Sequence, residues 1–390
     1  THIPRIEPDL VTLLDVTPSL PEPNTNFSAF RPFMRAKVRV NLDMMIGSSR
    51  IIHTLSETAQ GLRDAVSSDL QDYATVAERL EVNSQVERKV SKYRGSVSGL
   101  VRNFQRSYLD MVKYNAIWDR RVIEEFGAES WNEFKRVLNM SENDEMITMR
   151  GYVRSLHEHL KTQIKMKGLD SVLKGKIDDD NAAKTGQPVV ASAKVINLLF
   201  SPVFRFAMKA LLFSLKPNIV WAAGKTEFEL WEEWNKLCDW NIEILMKDYT
   251  QMDASHNTFS NKLLEAVWSI FYPYASDIKA FFDHSTFIIV LAKTFVYFLE
   301  SQLGSGRPDT FASNTLKQLI DMCIAGMAGP YREEWFDQMI VIMLGGDDSS
   351  TQSKSQNVFN WKELDKILYA PIKSKTSLGV MEFFNWIFTP

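Results

Sequence analysis

Apolar residues recur along this chain first at helical spacing, then at strand spacing, and finally in a short unbroken run that ends on two glycines. Leu70, Tyr73, Val76 and Leu80 fall on one face of a 3.6-residue helix, as do Val153, Leu156, Leu160 and Ile164. The spacing predicts a helical stretch from about residue 50 to 165. Within it, Trp131, Phe134, Val137 and Leu138 mark an amphipathic helix with Ser130 placed to cap it. Residues 198–250 return to a helical pattern rich in Phe, Leu and Trp, and Trp221, Trp231, Trp234 and Trp240 read as core. Residues 286–299 are β-branched and aromatic, which favours strand. The run 339–344 is also strand-like and leads directly into Gly345-Gly346, after which 349–356 reads as a polar loop.

The punctuation of the pattern adds an arm and a basic segment. Pro4, Pro8, Pro18, Pro21, Pro23 and Pro32 oppose helix and sheet alike, so residues 1–35 are expected to be extended. Lys161, Lys165, Lys167, Lys174, Lys176 and Lys184 gather around the acidic run Asp178-Asp179-Asp180. That cluster is either a solvated loop face or a basic wall for phosphates. No stretch reaches the roughly 18 uninterrupted apolar residues that span a bilayer. Residues 287–299 are broken by Lys293, and 203–223 by Arg205, Lys209 and Lys216, so both read as buried core. The chain starts at Thr1 with no signal peptide, which suggests a processed piece of something longer.

At 390 residues the chain can bury a full core and hold two or three subdomains. Its net charge of −3 does not advertise nucleic-acid binding, although a locally positive channel is compatible with that balance. Cys238 and Cys323 form neither a zinc spacing nor a disulfide framework, which fits a reducing, intracellular setting. No GxxxxGK[ST] loop is present, which disfavours P-loop enzymes. His157-Glu158-His159 has its histidines two apart, not the four of a zincin helix.

The candidate chemistry lies in three acidic or glycine-bearing segments, in this order. Asp248 ends an apolar helix-or-strand run, and Asp253 follows it closely. Ser305-Gly306-Arg307-Pro308-Asp309-Thr310 is turn chemistry before a helix that carries Asn314. Gly345-Gly346-Asp347-Asp348 forms a tight turn bearing two carboxylates. Two divalent ions held about 3.5–4 Å apart serve in-line phosphoryl chemistry. Hard Mg²⁺ takes carboxylate oxygens, and one Asp at a strand end plus another on a neighbouring hairpin tip supplies them. Asp248 and Asp347 fit those roles, with Asp348 as an auxiliary ligand. Asp253, set past the strand end, suits a sugar hydroxyl, with Asn314 placed to share its hydrogen bond. His256 reads as structural.

These segments resemble those of RNA-dependent RNA polymerases of positive-strand RNA viruses, in the alphavirus-like supergroup of hepatitis E-like and tobamovirus-like replicases. Asp248-Tyr-Thr-Gln-Met-Asp253-Ala-Ser-His-Asn257 is similar to motif A. Ser305-Gly306, Thr310-Phe311 and Asn314-Thr315 are similar to motif B, and Gly346-Asp347-Asp348-Ser349 to motif C. The resemblance implies cations for the incoming triphosphate at Lys184, Lys194 and Arg205 of a motif F-like region. It implies a proton-donating lysine at Lys373 or Lys375, and a primer grip at Met381-Glu-Phe-Phe-Asn-Trp386. Met252 and Phe384 depart from the family's usual residues.

The implied fold is α+β: a right-hand polymerase with an antiparallel palm sheet, helix-rich fingers and an N-terminal helical extension. The implied division is 1–150 extension, 151–245 fingers and 246–390 palm, with 265–303 partly fingers. The chain ends soon after the primer-grip segment, so the family's thumb is expected to be missing. The implied activity is template-directed nucleotidyl transfer with two Mg²⁺ ions, Mn²⁺ substituting. RNA template, primer or product, ribonucleoside triphosphates and other replicase proteins are the implied partners. The implied setting is the host cytoplasm in a membrane-associated complex, with no membrane attachment evident in this chain. The alternative is a non-catalytic RNA-binding or assembly fragment of that complex, which needs the missing thumb for activity.

Overall fold

The computed structural model describes residues 39–40, 96–142, 158–163, 187–191, 194–249, 252–291, 295–300, 303, 306–368, 372–384 and 386–390. The expected arm, the Leu70–Leu80 helix face, Val153, Leu156, Ile164, and Lys165 through Lys184 with their acidic run lie outside the described residues.

The first part is a short strand β1 (Arg39–Val40) and three helices: α1 (Val97–Tyr108), α2 (Met111–Ala116) and α3 (Arg120–Glu142). Ser96 caps α1 by accepting from Gly99 N–H, and Asp110 caps α2 the same way from Val112 and Lys113. Ser130 is not a cap. It sits inside α3, fully buried, and its hydroxyl donates to the Pro202 carbonyl at 2.6 Å. Leu160 is not helical either, because it lies on β2 (Glu158–Gln163), which pairs with β3 (Gln187–Ala191). Pairing with neighbouring strands overrides local periodicity there.

Helix α4 (Lys194–Ser214) packs along α3. By length and composition it is apolar enough to cross a membrane, but half of that apolar window is buried within the protein. Beyond it the helical expectation for 198–250 gives way twice. Strand β4 (Ile219–Trp221) precedes α5 (Glu227–Leu237), and β5 (Ile244–Tyr249) follows it. A capping box between Thr226 and Glu229 starts α5.

Next come α6 (Met252–Ser255), α7 (Thr258–Ser269) and α8 (Ala275–Ser285). The strand expectation for 286–299 is realised as an antiparallel pair, β6 (Phe287–Leu291) and β7 (Phe295–Glu300). These join a sheet ordered β1-β7-β6-β2-β3.

The second sheet matters most. It is built from β4, β5, β8 (Met339–Gly345), β9 (Asp348–Ser353) and β10 (Ile372–Ser377), in the order β10-β5-β9-β8-β4. All its pairs are antiparallel except β4 on β8. The sheet is therefore mixed, where the sequence implied an antiparallel one. The segment read as a polar loop after Asp348 is the central strand β9. Ser349, Ser350, Thr351 and Gln352 are buried there because ladders on both sides satisfy the backbone.

Each face of this sheet has its own core. Under one face lies α9 (Thr310–Met327), in which every residue from 312 to 326 is buried. Tyr249 reaches down from β5 to bond Asp321 of α9 at 2.7 Å, and Lys317 pairs with the same carboxylate at 2.6 Å. Trp268 and Trp335 are fully buried in this larger core. Over the other face lie α5 and the hairpin β11 (Met381–Phe383) with β12 (Trp386–Phe388), packed on Ile244, Met246, Val341 and Met343. Truncating any of these buried aromatics would cost about 3–5 kcal/mol. Trp221 and Trp234 are core as expected, whereas Trp231 and Trp240 are only partly buried.

Candidate functional site

Strand alternation decides what β5 offers to each side. Leu245, Lys247 and Tyr249 turn toward α9, while Ile244, Met246 and Asp248 turn toward the β11–β12 hairpin. Apolar side chains cover that second face until Asp248, where the strand ends in the open. Directly across the ladder from Asp248 stands Asp348, the first residue of β9. Side chains paired in this way have Cβ atoms about 4.5–5.5 Å apart. Lys373 of β10 flanks Asp248 on its other side.

Asp347 occupies the two-residue turn joining β8 to β9 and is exposed at its tip. Gly346, the other turn residue, has φ of 58°, and only a residue without a Cβ adopts this freely. The turn is held from below by α9. Thr315 accepts from Gly346 N–H at 2.9 Å, and the Gln318 amide donates to the carbonyls of Gly346 and Asp348 at 2.8 and 3.0 Å. It is held from above by Phe384, whose N–H donates to Asp348 at 3.2 Å and whose ring lies against Gly345. Sequence pattern does not mark Thr315, Gln318 or Phe384 as holding this turn. No local signal marks the two helical residues, because Ser313, Asn314, Lys317 and Asp321 of the same helix are polar as well.

The carboxylates repel one another. Burial, then Asp347 and Asp248, push the Asp348 carboxyl up to about 6. Burial and Asp347 also raise Asp248, against a lowering by Lys373. Such a group of acids is a local negative field that a positive charge would relieve. Among the described residues no three His, Cys, Asp or Glu side chains are arranged as a ready-made metal cluster. The donor chemistry nevertheless fits hard divalent ions, since every side chain in the group offers carboxylate oxygen.

Beside the carboxylates, Asp253 on α6 accepts from the Asn314 amide at 2.9 Å. The sequence had foreseen this contact. Burial raises Asp253, opposed by the Asn314 hydrogen bond. Asn314 in turn meets His256 at 2.9 Å. The loop before α9 is fixed by Arg307, which forks onto Asp309, and by Ser313, which donates to Asp309 at 2.6 Å.

The remaining expected site residues scatter. Gly306 lies in the turn before α9, and Thr310 begins that helix, its hydroxyl donating to the Arg307 carbonyl at 3.1 Å. Arg205 is engaged by Glu129 of α3 at 3.2 Å. Lys375 pairs with Glu382 at 3.1 Å. Lys194 is the first residue of α4, and Lys184 and Ser305 lie outside the described residues.

A family model described as RNA dependent RNA polymerase matches residues 71–368 of this chain. No curated protein matches it. Among solved structures, it is similar to the RNA-dependent RNA polymerase of a human picorbirnavirus, with 11% identity and a TM-score of 0.41 over 58% of this chain and 42% of that one. It is also similar to an insertion loop deletion mutant of a human picorbirnavirus RNA-dependent RNA polymerase, with 10% identity and a TM-score of 0.43 over 60% of this chain and 44% of that one. The chain thus spans less than half the length of the solved polymerases it matches.

Proposed function

The chain belongs to the RNA-dependent RNA polymerase family, and on that premise we propose that it extends an RNA 3′ end by template-directed nucleotidyl transfer. The observation that carries this reading is the cross-strand pair Asp248 and Asp348 with Asp347 on the adjoining turn. We assign Asp248 and Asp347 as ligands of two Mg²⁺ ions, with Asp348 as the auxiliary ligand and Mn²⁺ as a working substitute. Bound there, the ions supply positive charge to the attacking oxygen and to the leaving pyrophosphate.

The chain's own residues do the rest. In the reaction the primer 3′-hydroxyl gives its proton to water as its oxygen bonds to the α-phosphorus, the bond from that phosphorus to the α–β bridging oxygen breaks, and pyrophosphate leaves. Lys373, next to Asp248 on β10, donates a proton to the pyrophosphate, and the pairing of Lys375 with Glu382 favours Lys373 for this task. Asp253 and Asn314 bind the ribose 2′-hydroxyl, while Ser305, Gly306 and Thr310 border the template and sugar. Lys184, Lys194 and Arg205 bind the triphosphate, with Arg205 giving up Glu129 to do so. Most of the rate enhancement comes from positioning and charge neutralisation.

In this reading residues 246–390 form the palm, 151–245 the fingers and 1–150 an extension, with 265–303 contributing to the fingers. The motif strings favour the alphavirus-like supergroup. The partners are RNA template, primer or product, ribonucleoside triphosphates and other replicase proteins, in a membrane-associated complex of the host cytoplasm.

The test is primer extension on a homopolymer template with Mn²⁺ or Mg²⁺. Incorporation of only the complementary ribonucleotide is expected. RNA binding without incorporation would contradict the proposal and favour a non-catalytic role. Asp253→Ala should lower the preference for ribo- over deoxyribonucleotide by about tenfold or more; an unchanged preference would remove Asp253 from sugar recognition.

A further inference from the structure

The pair that faces the sugar does not end at Asn314. His256 lies just past α6, 2% exposed, with Nε2 2.9 Å from Asn314 Oδ1. Asn314 Nδ2 is 2.9 Å from Asp253 Oδ1. A side-chain amide has one oxygen, which accepts, and one NH₂, which donates. Asp253 accepts, so the NH₂ must face it. The amide oxygen then faces His256, and only an Nε2–H can donate to it. The reversed amide would set its oxygen against the Asp253 carboxylate.

We propose that His256 is a positioning residue for sugar selection. Its Nε2–H locks the Asn314 amide with the NH₂ toward Asp253, and so fixes the hydrogen-bonding face offered to a ribose. This rests on the reading above that Asp253 and Asn314 recognise the 2′-hydroxyl.

The surroundings keep the lock in one protonation state. Burial, then the nearby Lys317 and Arg307 cations, push the imidazole down to about 3, against the opposing pull of the Asn314 and Asn261 hydrogen bonds. A neutral ring with a single donor is what an amide oxygen requires. Without that donor Asn314 is free to rotate, and Asp253 loses a fixed partner. The placement of His256, Asn314 and Asp253 also ties the segment after β5 to the N-terminal part of α9.

The test compares His256→Leu, His256→Gln and Asp253→Ala in the full chain, reading kcat/KM for a complementary ribonucleotide against its 2′-deoxy form. His256→Leu is expected to lower that ratio by about tenfold, the worth of one buried hydrogen bond. His256→Gln, whose amide NH₂ can donate in place of the ring, should return it to within about threefold of wild type. A wild-type ratio in His256→Leu overturns the proposal. If Asp253→Ala still lowers the ratio, the sugar-recognition reading survives alone; if neither substitution moves it, both fall. Should His256→Leu fail to fold or extension be too slow to measure, ¹⁵N-histidine NMR of the full chain gives a separate answer. The His256 signal should be that of the neutral Nε2–H tautomer between about pH 5.5 and 8.5 and should shift in Asn314→Leu. An Nδ1–H tautomer, or titration within that range, overturns the proposal.

Discussion

At the scale of the residue, what marks this site is crowded negative charge. Asp248 and Asp348 share a ladder position, Asp347 sits on the adjoining turn, and Lys373 is the nearest cation on a paired strand. Asp348 is the clearest case, with its carboxyl pushed up to about 6 by burial and its two neighbours. The folded protein therefore holds that proton more tightly than the unfolded chain does. An acid raised in this way adds no penalty below its unfolded pKa near 4 and destabilises the fold increasingly as pH rises through about 6. Wild type, relative to Asp348→Asn, should lose stability over that window in the absence of divalent ions. The loss is on the order of 1 kcal/mol after discounting for solvent screening. Millimolar Mg²⁺ or Mn²⁺ should restore it above about pH 6 and do little below about pH 4. Melting curves of the two proteins with and without the ion read this directly, and an ion effect independent of pH or of Asp348 would contradict the account.

At the scale of the element, the β8–β9 hairpin is clamped between a helix and a second hairpin. Thr315 and Gln318 of α9 satisfy its backbone from one side, and Phe384 covers it from the other. The tightest point is Gly345, where an added Cβ would lie 2.1 Å from the Phe384 ring and 3.0 Å from Ala222. Gly345→Ala should cost about 1–3 kcal/mol through overpacking and should depress catalysis further by shifting Phe384 off Asp348. Chemical denaturation alongside a turnover assay tests it, and a fully stable, fully active variant would show that Phe384 does not hold the turn.

The sequence made some of these elements legible and hid others for physical reasons. The apolar run into Gly345-Gly346 pointed to the hairpin, because buried strands and tight turns have strong local signatures. The Asn314–Asp253 contact was legible too, from an amide early in a helix that follows a glycine-bearing turn and a carboxylate just past a strand end. Strand β9 was hidden, because Ser349 through Gln352 are polar and only the ladders on both sides make their burial tolerable. Ser130 looked like a cap, since its role is set by the Pro202 carbonyl of a distant helix. Gln318 was invisible as a clamp, because its partners lie 28 and 30 residues away on a turn.

At the scale of the whole molecule, the mixed sheet separates two cores and brings the acids to one end. Asp321 and Lys317 of α9 anchor β5 from the larger core through Tyr249, while the smaller core under β11 and β12 covers the opposite face up to Asp248. Helix α9 also carries Asn314, so one element holds both the partner of Asp253 and the clamp on the acidic turn.

The most direct measurement is nucleotide incorporation on a primed RNA template by wild type and Asp347→Asn, with RNA affinity measured in parallel. Asp347 is exposed on a turn, so the substitution should leave folding and RNA affinity near wild type. The account predicts that incorporation falls by about a hundredfold or more, with affinity for RNA unchanged within about twofold. An Asp347→Asn protein that extends primers at the wild-type rate would contradict it.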